Sequence, residues 1–513
     1  MSHRRTTSAA AVLLAAAGLL LAACGSSGSS APSSVPQLAP PEVLAGHGAD
    51  WPLPGYDYTN SRRAGPSPID AATVSGLITA WTVGTTGALT TAPVVLGSTA
   101  YAEDDFGVVV AVDVPTGKVL WRSAATGFTV GPEGAVVGWG KVYAATPDGV
   151  EALSPATGAV VWTRDLAPDP TTGVDIQPLV VGGKVLVSTV PVTAGTQFHG
   201  GDAGVLYALD AATGRTDWSF DTVDSADLWG NPAVNSGGGS WYPPSVDTAT
   251  GTVYWGTGNP GPYPGTARYP NGSSRPGANL YTDSTLALSL ATGKLLWYHQ
   301  EVPHDLFDHD FQHTMLVSVG TGSGSHQVLV GAGKGGQVVG MDPTTGAVLW
   351  TTLVGRHLND TLTALPPGTT EVLPGTYGGV LTPPSWADGT AYVATLNSPS
   401  ELSPGQTDYG GGKTGTMPGE VVAVDAADGR VLWDTQVPGD PIGGTTVVND
   451  LVLTGTLQGT LFALDRSTGR IVWQYRAPAG ISGWPAVVGS TIVLPTGTIG
   501  PGGHLVALRL PTG

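Results

Sequence analysis

Cysteine is nearly missing from this chain: Cys24 is the one thiol in 513 residues, so no disulfide can form within it. For the same reason no Cys-x-x-Cys-His segment exists to attach a covalent haem. Charge is also scarce, at 12% of residues, and Lys+Arg number 21 against 39 Asp+Glu, a net charge of −18. A surface this poor in cations is not built to neutralise a phosphate backbone, so nucleic acid is excluded as a partner. Beyond residue 22 no apolar run is long enough to span a bilayer. Nor does any stretch after the leader keep a 3.6-residue apolar period, so helices are expected to be rare. Disorder is excluded for the bulk of the chain, because 41% of residues are hydrophobic and they recur in pattern.

The N-terminus reads as a targeting segment. Arg4 and Arg5 precede the apolar run 9–22, and Leu21-Ala22-Ala23-Cys24 has the form of a bacterial lipobox. Residues 1–23 are therefore expected to be a lipoprotein signal peptide, with Cys24 becoming the lipidated N-terminus. Residues 24–48, rich in Gly, Ser and Pro, are expected to be a flexible tether, and 49–513 the folded domain. The expected location is the outer face of the bacterial membrane, reached through the lipid anchor alone. An ordinary secretory signal carrying an incidental cysteine is the alternative.

What the chain has in abundance is glycine (76) and proline (42), and a repeat. Seven times Asp or Ser stands four residues before a Gly, and Trp four after it. The glycines are Gly117, Gly158, Gly214, Gly293, Gly346, Gly429 and Gly469, and the tryptophans Trp121, Trp162, Trp218, Trp297, Trp350, Trp433 and Trp473. Short β-branched runs flank each turn, so each unit is a hairpin. The Trp-to-Trp steps are 41, 56, 79, 53, 83 and 40 residues, and Trp81 lies 40 before Trp121 as a degenerate eighth unit. Steps near 40 fit one four-stranded blade, and longer steps a blade with inserted loops. The expected fold is all-β: an eight-bladed β-propeller of four-stranded antiparallel blades. The repeated tryptophans are expected to be inter-blade packing.

Chemistry is expected where the repeat breaks. The 79-residue step holds Gly237-Gly238-Gly239-Ser240-Trp241 and Gly256-Thr257-Gly258-Asn259-Pro260. Just past Trp297 the stretch 301–310 carries Glu301, His304, Asp305, Asp308, His309 and Asp310 in a chain otherwise sparing with charge. Asp308 and Asp310, at i and i+2, project from one face of an extended segment. Paired carboxylates repel unless a cation or shared proton intervenes, and such oxygen donors suit Ca²⁺ or another hard ion. A solvated acidic loop is the other reading, and Asn259 alone reads as a turn residue before Pro260.

These segments, with Asp50-Trp51-Pro52 and Thr59-Asn60-Ser61-Arg62, resemble the quinoprotein alcohol dehydrogenases from about residue 50 onward. The resemblance implies an eight-bladed propeller holding pyrroloquinoline quinone (PQQ) and a metal at its axis. It implies Trp241 as the floor under the quinone and Asn259 as a metal ligand. It also implies Asp308 as ligand and catalytic base, Asp310 as the extra carboxylate of lanthanide-dependent members, and Lys334 as the cation beside the quinone oxygens. Calcium or a lanthanide would be the ion, an alcohol (small or polymeric) the substrate, and an external acceptor would take the electrons.

Departures accompany the resemblance. His199 falls where the family has a metal-binding Glu, with Asp202 the nearest carboxylate, and imidazole is a poor ligand for a hard ion. The vicinal disulfide of many members is impossible here, and 378–384 lacks the Asn-Trp that often follows the Gly pair. Two functions are therefore expected to compete: a PQQ- and metal-dependent dehydrogenase, or a non-catalytic propeller of the same repeat serving as an envelope scaffold or binding module.

Overall fold

The computed structural model describes residues 38–46, 48, 50–167, 171–191, 200–320, 322–407 and 412–511. The leader, Cys24 and His199 lie outside the described residues. Among the described residues the chain forms eight four-stranded antiparallel blades, the third extended at its third strand, Ala203–Asp210, by Ser236–Gly238 in parallel and then Pro260–Gly261. The first runs Val94–Leu96, Thr99–Glu103, Val109–Asp113 and Val119–Arg122, from innermost to outermost strand. Blades 2 to 7 repeat this order, with innermost strands Ala135–Gly138, Leu179–Val181, Ser245–Asp247, His313–Val319, Ser385–Ala387 and Thr446–Val448. Blade 8 takes three strands from the C-terminus (Ala486–Val488, Thr491–Thr496, His504–Arg509) and its outer strand, Ile78–Gly84, from the start of the domain. Trp81, expected to mark an eighth unit, thus sits on the strand that closes the ring.

The repeat motif is the seam between blades. Each motif glycine has φ between 71° and 75°, where a side chain is strained. A Cβ at any of them would lie 2.4 to 2.8 Å from its nearest neighbour, in each case including the tryptophan ring of the preceding blade. Gly117 meets Trp81, Gly158 meets Trp121, and so on to Gly469, which meets Trp433. The indole N–H of Trp81, Trp121, Trp218, Trp297, Trp350 and Trp433 then donates, at 2.8 to 3.1 Å, to the carbonyl just after the next blade's motif Asp or Ser. Trp162 makes no such bond: the equivalent carbonyl, that of Ala211, accepts the Tyr143 hydroxyl at 2.8 Å instead. In the last motif the Asp465 carboxylate accepts the Ser467 and Thr468 hydroxyls, which lower its pKa most, and the N–H groups of the same two residues, which fix the turn.

Ordered structure begins earlier than residue 49. Within the stretch read as tether, a short helix, Pro41–Gly46, buries Val43 against blade 2, and Glu42 accepts the N–H groups of Trp139 and Gly140. The following segment, 51–64, bonds one innermost strand or its lead-in after another. Trp51 pairs with Val95 of blade 1, the Tyr58 hydroxyl donates to Val180 O of blade 3, and Asn60 Nδ2 donates to Pro243 O and Thr314 O. Arg62 donates to Pro384 O and its own carbonyl accepts Val447 N–H. The Asn60 and Arg62 stretch noted in the sequence is therefore a structural brace linking the innermost strands.

The seam predicts that Gly346→Ala, which adds a Cβ 2.4 Å from the Trp297 ring at φ 72°, destabilises the propeller by about 2–4 kcal/mol. Urea unfolding of purified protein measures it. A change within 0.5 kcal/mol of zero, roughly the effect of a neutral surface substitution, would refute the seam's role.

Candidate active site

Antiparallel order decides where the candidate residues go. The loop leading into an innermost strand and the loop joining the second and third strands must lie at the same end of a blade. Trp241 leads into the innermost strand of blade 4, and Asn259 follows that blade's second strand, Thr252–Gly256. Asp308 and Asp310 lead into blade 5, and Lys334 follows its second strand, His326–Ala332. All five therefore share one end of the propeller.

The side chains also meet. Lys334 Nζ lies 2.7 Å from Asp308 Oδ2 and 2.6 Å from Asp310 Oδ2, bridging the two carboxylates. Asp310 Oδ1 accepts the Asn259 N–H at 2.7 Å, and the Asp310 carbonyl accepts the Lys334 N–H at 2.9 Å. A Cβ on Gly258 would stand 3.2 Å from Asp310 Oδ1, 3.2 Å from Trp241 Nε1 and 3.0 Å from Gln312 Nε2. The indole edge, the carboxylate and Asn259 thus surround a position that only glycine leaves open. Trp241 is half-buried, as a ring with one face available must be.

Local structure explains this convergence. Gly237, Gly238 and Gly239 all have positive φ, and a Cβ on Gly237 would collide with the backbone of Asn259 and Pro260. The glycine run lets the Trp241 loop lie flat on the Asn259 segment. Gln312 Oε1 then accepts the Trp241 N–H at 3.0 Å and ties that loop to blade 5. Asp305 accepts N–H bonds from Phe307 (2.8 Å) and His309 (2.7 Å), wrapping the chain so that Asp308 takes φ +65°. A non-glycine residue there costs energy, and such strain gathers at working positions. Arg275 anchors the wrap through the Asp305 carbonyl. The inserted loop 263–275 packs on residues 398–407, Thr407 donating to Gly265 O and Asn271 N–H to Pro404 O. Gly379 sits so close to the Lys334 backbone that a Cβ could not fit, which fixes the lysine loop.

Electrostatics follow from burial. Burial pushes the Asp308 carboxyl well above the usual carboxylate range; Lys334 opposes the shift and Asp310 adds to it. Burial disfavours the Lys334 charge, but Asp308 and Asp310 outweigh it and hold the ammonium protonated. One cation serves two acids, so the pair keeps a demand for positive charge. Asp283, fully buried, accepts no hydrogen bond at either oxygen, and burial then Asp305 raise its pKa.

A metal and a flat cofactor fit part of this arrangement. Asp308, Asp310 and the Asn259 side-chain oxygen are hard donors, and the lysine ammonium stands between the carboxylates as a cation of their own. Among the described residues no three His, Cys, Asp or Glu side chains form a coordination sphere on their own, so any ion would need the amide or a cofactor oxygen as well. Asp202, the nearest carboxylate to His199 in sequence, is buried and bonds the Thr172 hydroxyl at 3.4 Å. Sequence reasoning gave no role to Gln312 or Asp305. A carboxylate three residues before Asp308 was visible, but its N–H partners were not.

Comparison with known proteins agrees with this geometry. Residues 167–354, which hold all five site residues, match the family "Glucose/ethanol/alcohol dehydrogenase, beta-propeller domain". Residues 78–189 and 417–513 match "Outer membrane protein assembly factor BamB". The chain is 31% identical over 331 residues to a quinohemoprotein alcohol dehydrogenase of Comamonas testosteroni, covering 58% of this chain and 45% of that protein. It is 30% identical over 344 residues to the dehydrogenase subunit of the quinone alcohol dehydrogenase of Gluconobacter oxydans, covering 59% of this chain and 44% of the relative. The chain thus spans about half the length of the curated relatives it matches. In structure it superposes on the Comamonas testosteroni enzyme with a TM-score of 0.77 at 23% identity, over 92% of this chain and 83% of that one. A europium-containing methanol dehydrogenase gives 0.76 at 23% identity, over 91% and 99%. BamB of Moraxella catarrhalis gives 0.53 at 15% identity, over 85% and 98%. The fold is an eight-bladed propeller like that of the quinoprotein alcohol dehydrogenases, and the sequence likeness to those enzymes extends over 58% of the chain.

Removing the cation should expose the strain in the acid pair. Lys334→Met leaves two buried carboxylates unpaired and is expected to cost about 3–5 kcal/mol near neutral pH. With the lysine gone, Asp308, already pushed up by burial, gains a proton on folding, so the loss should grow as pH rises and shrink in acid. Urea unfolding of the apo-protein across pH measures both; a pH-independent loss would refute the bridge.

Proposed function

We propose that the protein is a quinoprotein dehydrogenase that oxidises an alcohol using PQQ and a hard metal ion. One observation carries this reading: Trp241, Asn259 and Asp310 meet around Gly258, and Lys334 bridges Asp310 to Asp308, all inside the stretch that matches the dehydrogenase family. When bound, PQQ with its ion would supply the two-electron acceptor, the ion polarising the quinone carbonyl as a Lewis acid. The residues supply the rest. Trp241 offers an aromatic floor for a planar ring. Asn259, Asp308 and Asp310 offer oxygen donors to Ca²⁺ or a lanthanide. Asp308 would take the alcohol proton at a carboxylate oxygen; burial raises its pKa, and the Lys334 ammonium together with a bound ion would favour the ionised form that work needs. Lys334 keeps positive charge where the ring oxygens would gain electron density. With no attached haem possible, the electrons would leave to an external acceptor. Export through the 1–23 leader and anchoring by lipidated Cys24 complete the proposal. Among the described residues no helix is long and apolar enough to cross a membrane.

A second reading, a non-catalytic envelope propeller, draws on the BamB matches at both ends of the propeller. The two part on cofactor binding. Apo-protein mixed with PQQ and Ca²⁺ or La³⁺ should shift the quinone absorbance and reduce dye on addition of alcohol; no shift with either ion favours the scaffold. Asp308→Asn should lower turnover by about 10²-fold or more while the circular dichroism stays unchanged. Asp310→Ala should weaken the response to La³⁺ more than to Ca²⁺; equal loss with both ions would deny Asp310 a role in ion choice.

A further inference from the structure

The repeat also breaks at the opposite end of the propeller, where the turns between first and second and between third and fourth strands lie. The residue directly after the motif Asp or Ser is apolar in six of the seven copies: Val114, Pro155, Ala211, Leu290, Pro343 and Ala426. In the seventh it is Arg466. Its carbonyl accepts the Trp433 indole N–H at 2.9 Å, the bond made at most other seams, so the seam uses this residue's backbone and not its guanidinium. The side chain goes instead to Asp388, in the turn between the first two strands of blade 6, with Nη1 2.8 Å from Oδ2. Arg63, from the end of the brace, holds the other oxygen at 2.7 Å. Two guanidiniums thus share one carboxylate, in a chain with 21 Lys and Arg and a net charge of −18. The neighbouring acids have other partners: Asp465 accepts N–H groups within its own turn, and Asp450 accepts that of Ala71.

An open cleft of about 200 Å³ lies against this excess of positive charge. Arg466 and Asp388 line it together with Leu432, Trp433 and Tyr392, and Thr390 adds a hydroxyl. Arg466 keeps 25% of its side chain open to solvent, Leu432 is 43% exposed, and the Trp433 and Tyr392 ring centres stand 5.9 Å apart. By liquid volume the cleft holds about seven waters' worth of space, the size of a small organic molecule. An ion-pair brace between blades 6 and 7 needs only one arginine, and exposed pairs of this kind contribute little. Such a brace accounts for neither the second guanidinium nor the hydrocarbon beside it. A guanidinium offers paired N–H donors to a carboxylate, and exposed apolar side chains offer cover to a hydrocarbon body. Asp388 is the acid of the lining, and both its oxygens already face guanidinium groups.

We propose that this cleft, at the seam of blades 6 and 7, binds a small carboxylate with an apolar body. The carboxylate sits on the Arg466 guanidinium, and the body lies against Leu432 and the Trp433 and Tyr392 rings. The inference goes beyond the quinoprotein reading and does not rest on it, since the cleft is at the end away from Lys334 and serves a dehydrogenase or a scaffold alike. Its occupancy is therefore read without PQQ or a metal ion.

The test is calorimetric titration of the full-length apo-protein with benzoate, with benzamide and inorganic phosphate as controls. Benzamide keeps the ring without the charge, and phosphate keeps the oxoanion without the apolar body. Wild type should show one saturable benzoate site, with each control about tenfold weaker or more, the fall expected when a charged hydrogen bond or a buried ring face is lost. Arg466→Leu installs the residue that blade 4 carries at the same place, Leu290. It should weaken benzoate about tenfold or more while the urea midpoint stays where a neutral surface change would leave it. Should Arg466→Leu fail to fold, Asp388→Asn decides: it frees both guanidiniums and should tighten benzoate severalfold, whereas a brace alone gives no gain. No saturable benzoate binding by wild type would overturn the inference. So would equal binding of either control, unchanged affinity in folded Arg466→Leu or, where that variant does not fold, no tightening in Asp388→Asn. None of these outcomes touches the dehydrogenase reading, which the PQQ titration decides.

Discussion

The contact between a motif glycine and the tryptophan of the blade before it holds this molecule in register. Its two halves need each other. The glycine must lack a Cβ for the indole to lie flat on the turn, and its positive φ brings the next blade's carbonyl within reach of the indole N–H. Because the contact is always with the preceding blade, it sets a direction round the ring, and closure requires a tryptophan before blade 1. Trp81 supplies it from the chain's own start. Of the seven seams built on a motif glycine, the one that lacks its indole bond, at Trp162, keeps the glycine contact, so packing rather than the hydrogen bond is the common element of those seven.

A ring fixed in this way delivers loops rather than strands to its axis. Lead-in loops and second-to-third-strand loops from every blade emerge at one end, and blades 4 and 6 carry the longest departures from the repeat there. Glycine again does the local work, at Gly237 to Gly239, at Gly258 and at Gly379, by letting backbones approach where side chains would collide. The ionisable groups then have little choice. Asp308 and Asp310 are pressed together by the Asp305 wrap, and Lys334 lies between them because its own loop is clamped against Gly379.

Much of this was legible in the residues. The hairpin period gave the number of blades, since it reflects a contact made at fixed sequence spacing. The resemblance gave Trp241, Asn259, Asp308, Asp310 and Lys334, and the structure brings all five together. What could not be read was anything set by contact between distant blades. Gln312 looks like one polar residue before a strand, yet it holds Trp241 across 71 positions. The Asn60 and Arg62 segment, used as a family mark, turns out to brace the innermost strands. Arg63, Asp388 and Arg466 are far apart in sequence, and each alone reads as a surface charge. Only the ring makes them neighbours. The start of the ordered body was also missed, because Gly- and Pro-rich composition does not reveal that Val43 finds a hydrophobic seat.

The division of the sequence matches follows the same physics. Blades 1, 2, 7 and 8 lie in the stretches that match the outer membrane protein assembly factor BamB, while the stretch through blades 3 to 5 matches the dehydrogenase propeller family. A propeller serving only as scaffold has no use for a buried ammonium between two carboxylates, since replacing such a group with apolar side chains is often neutral or stabilising. Nor does it gain from a left-handed aspartate or a half-buried indole facing an open position. These features cost stability and sit in the stretch that matches the dehydrogenase family, which is where function, rather than folding, would retain them.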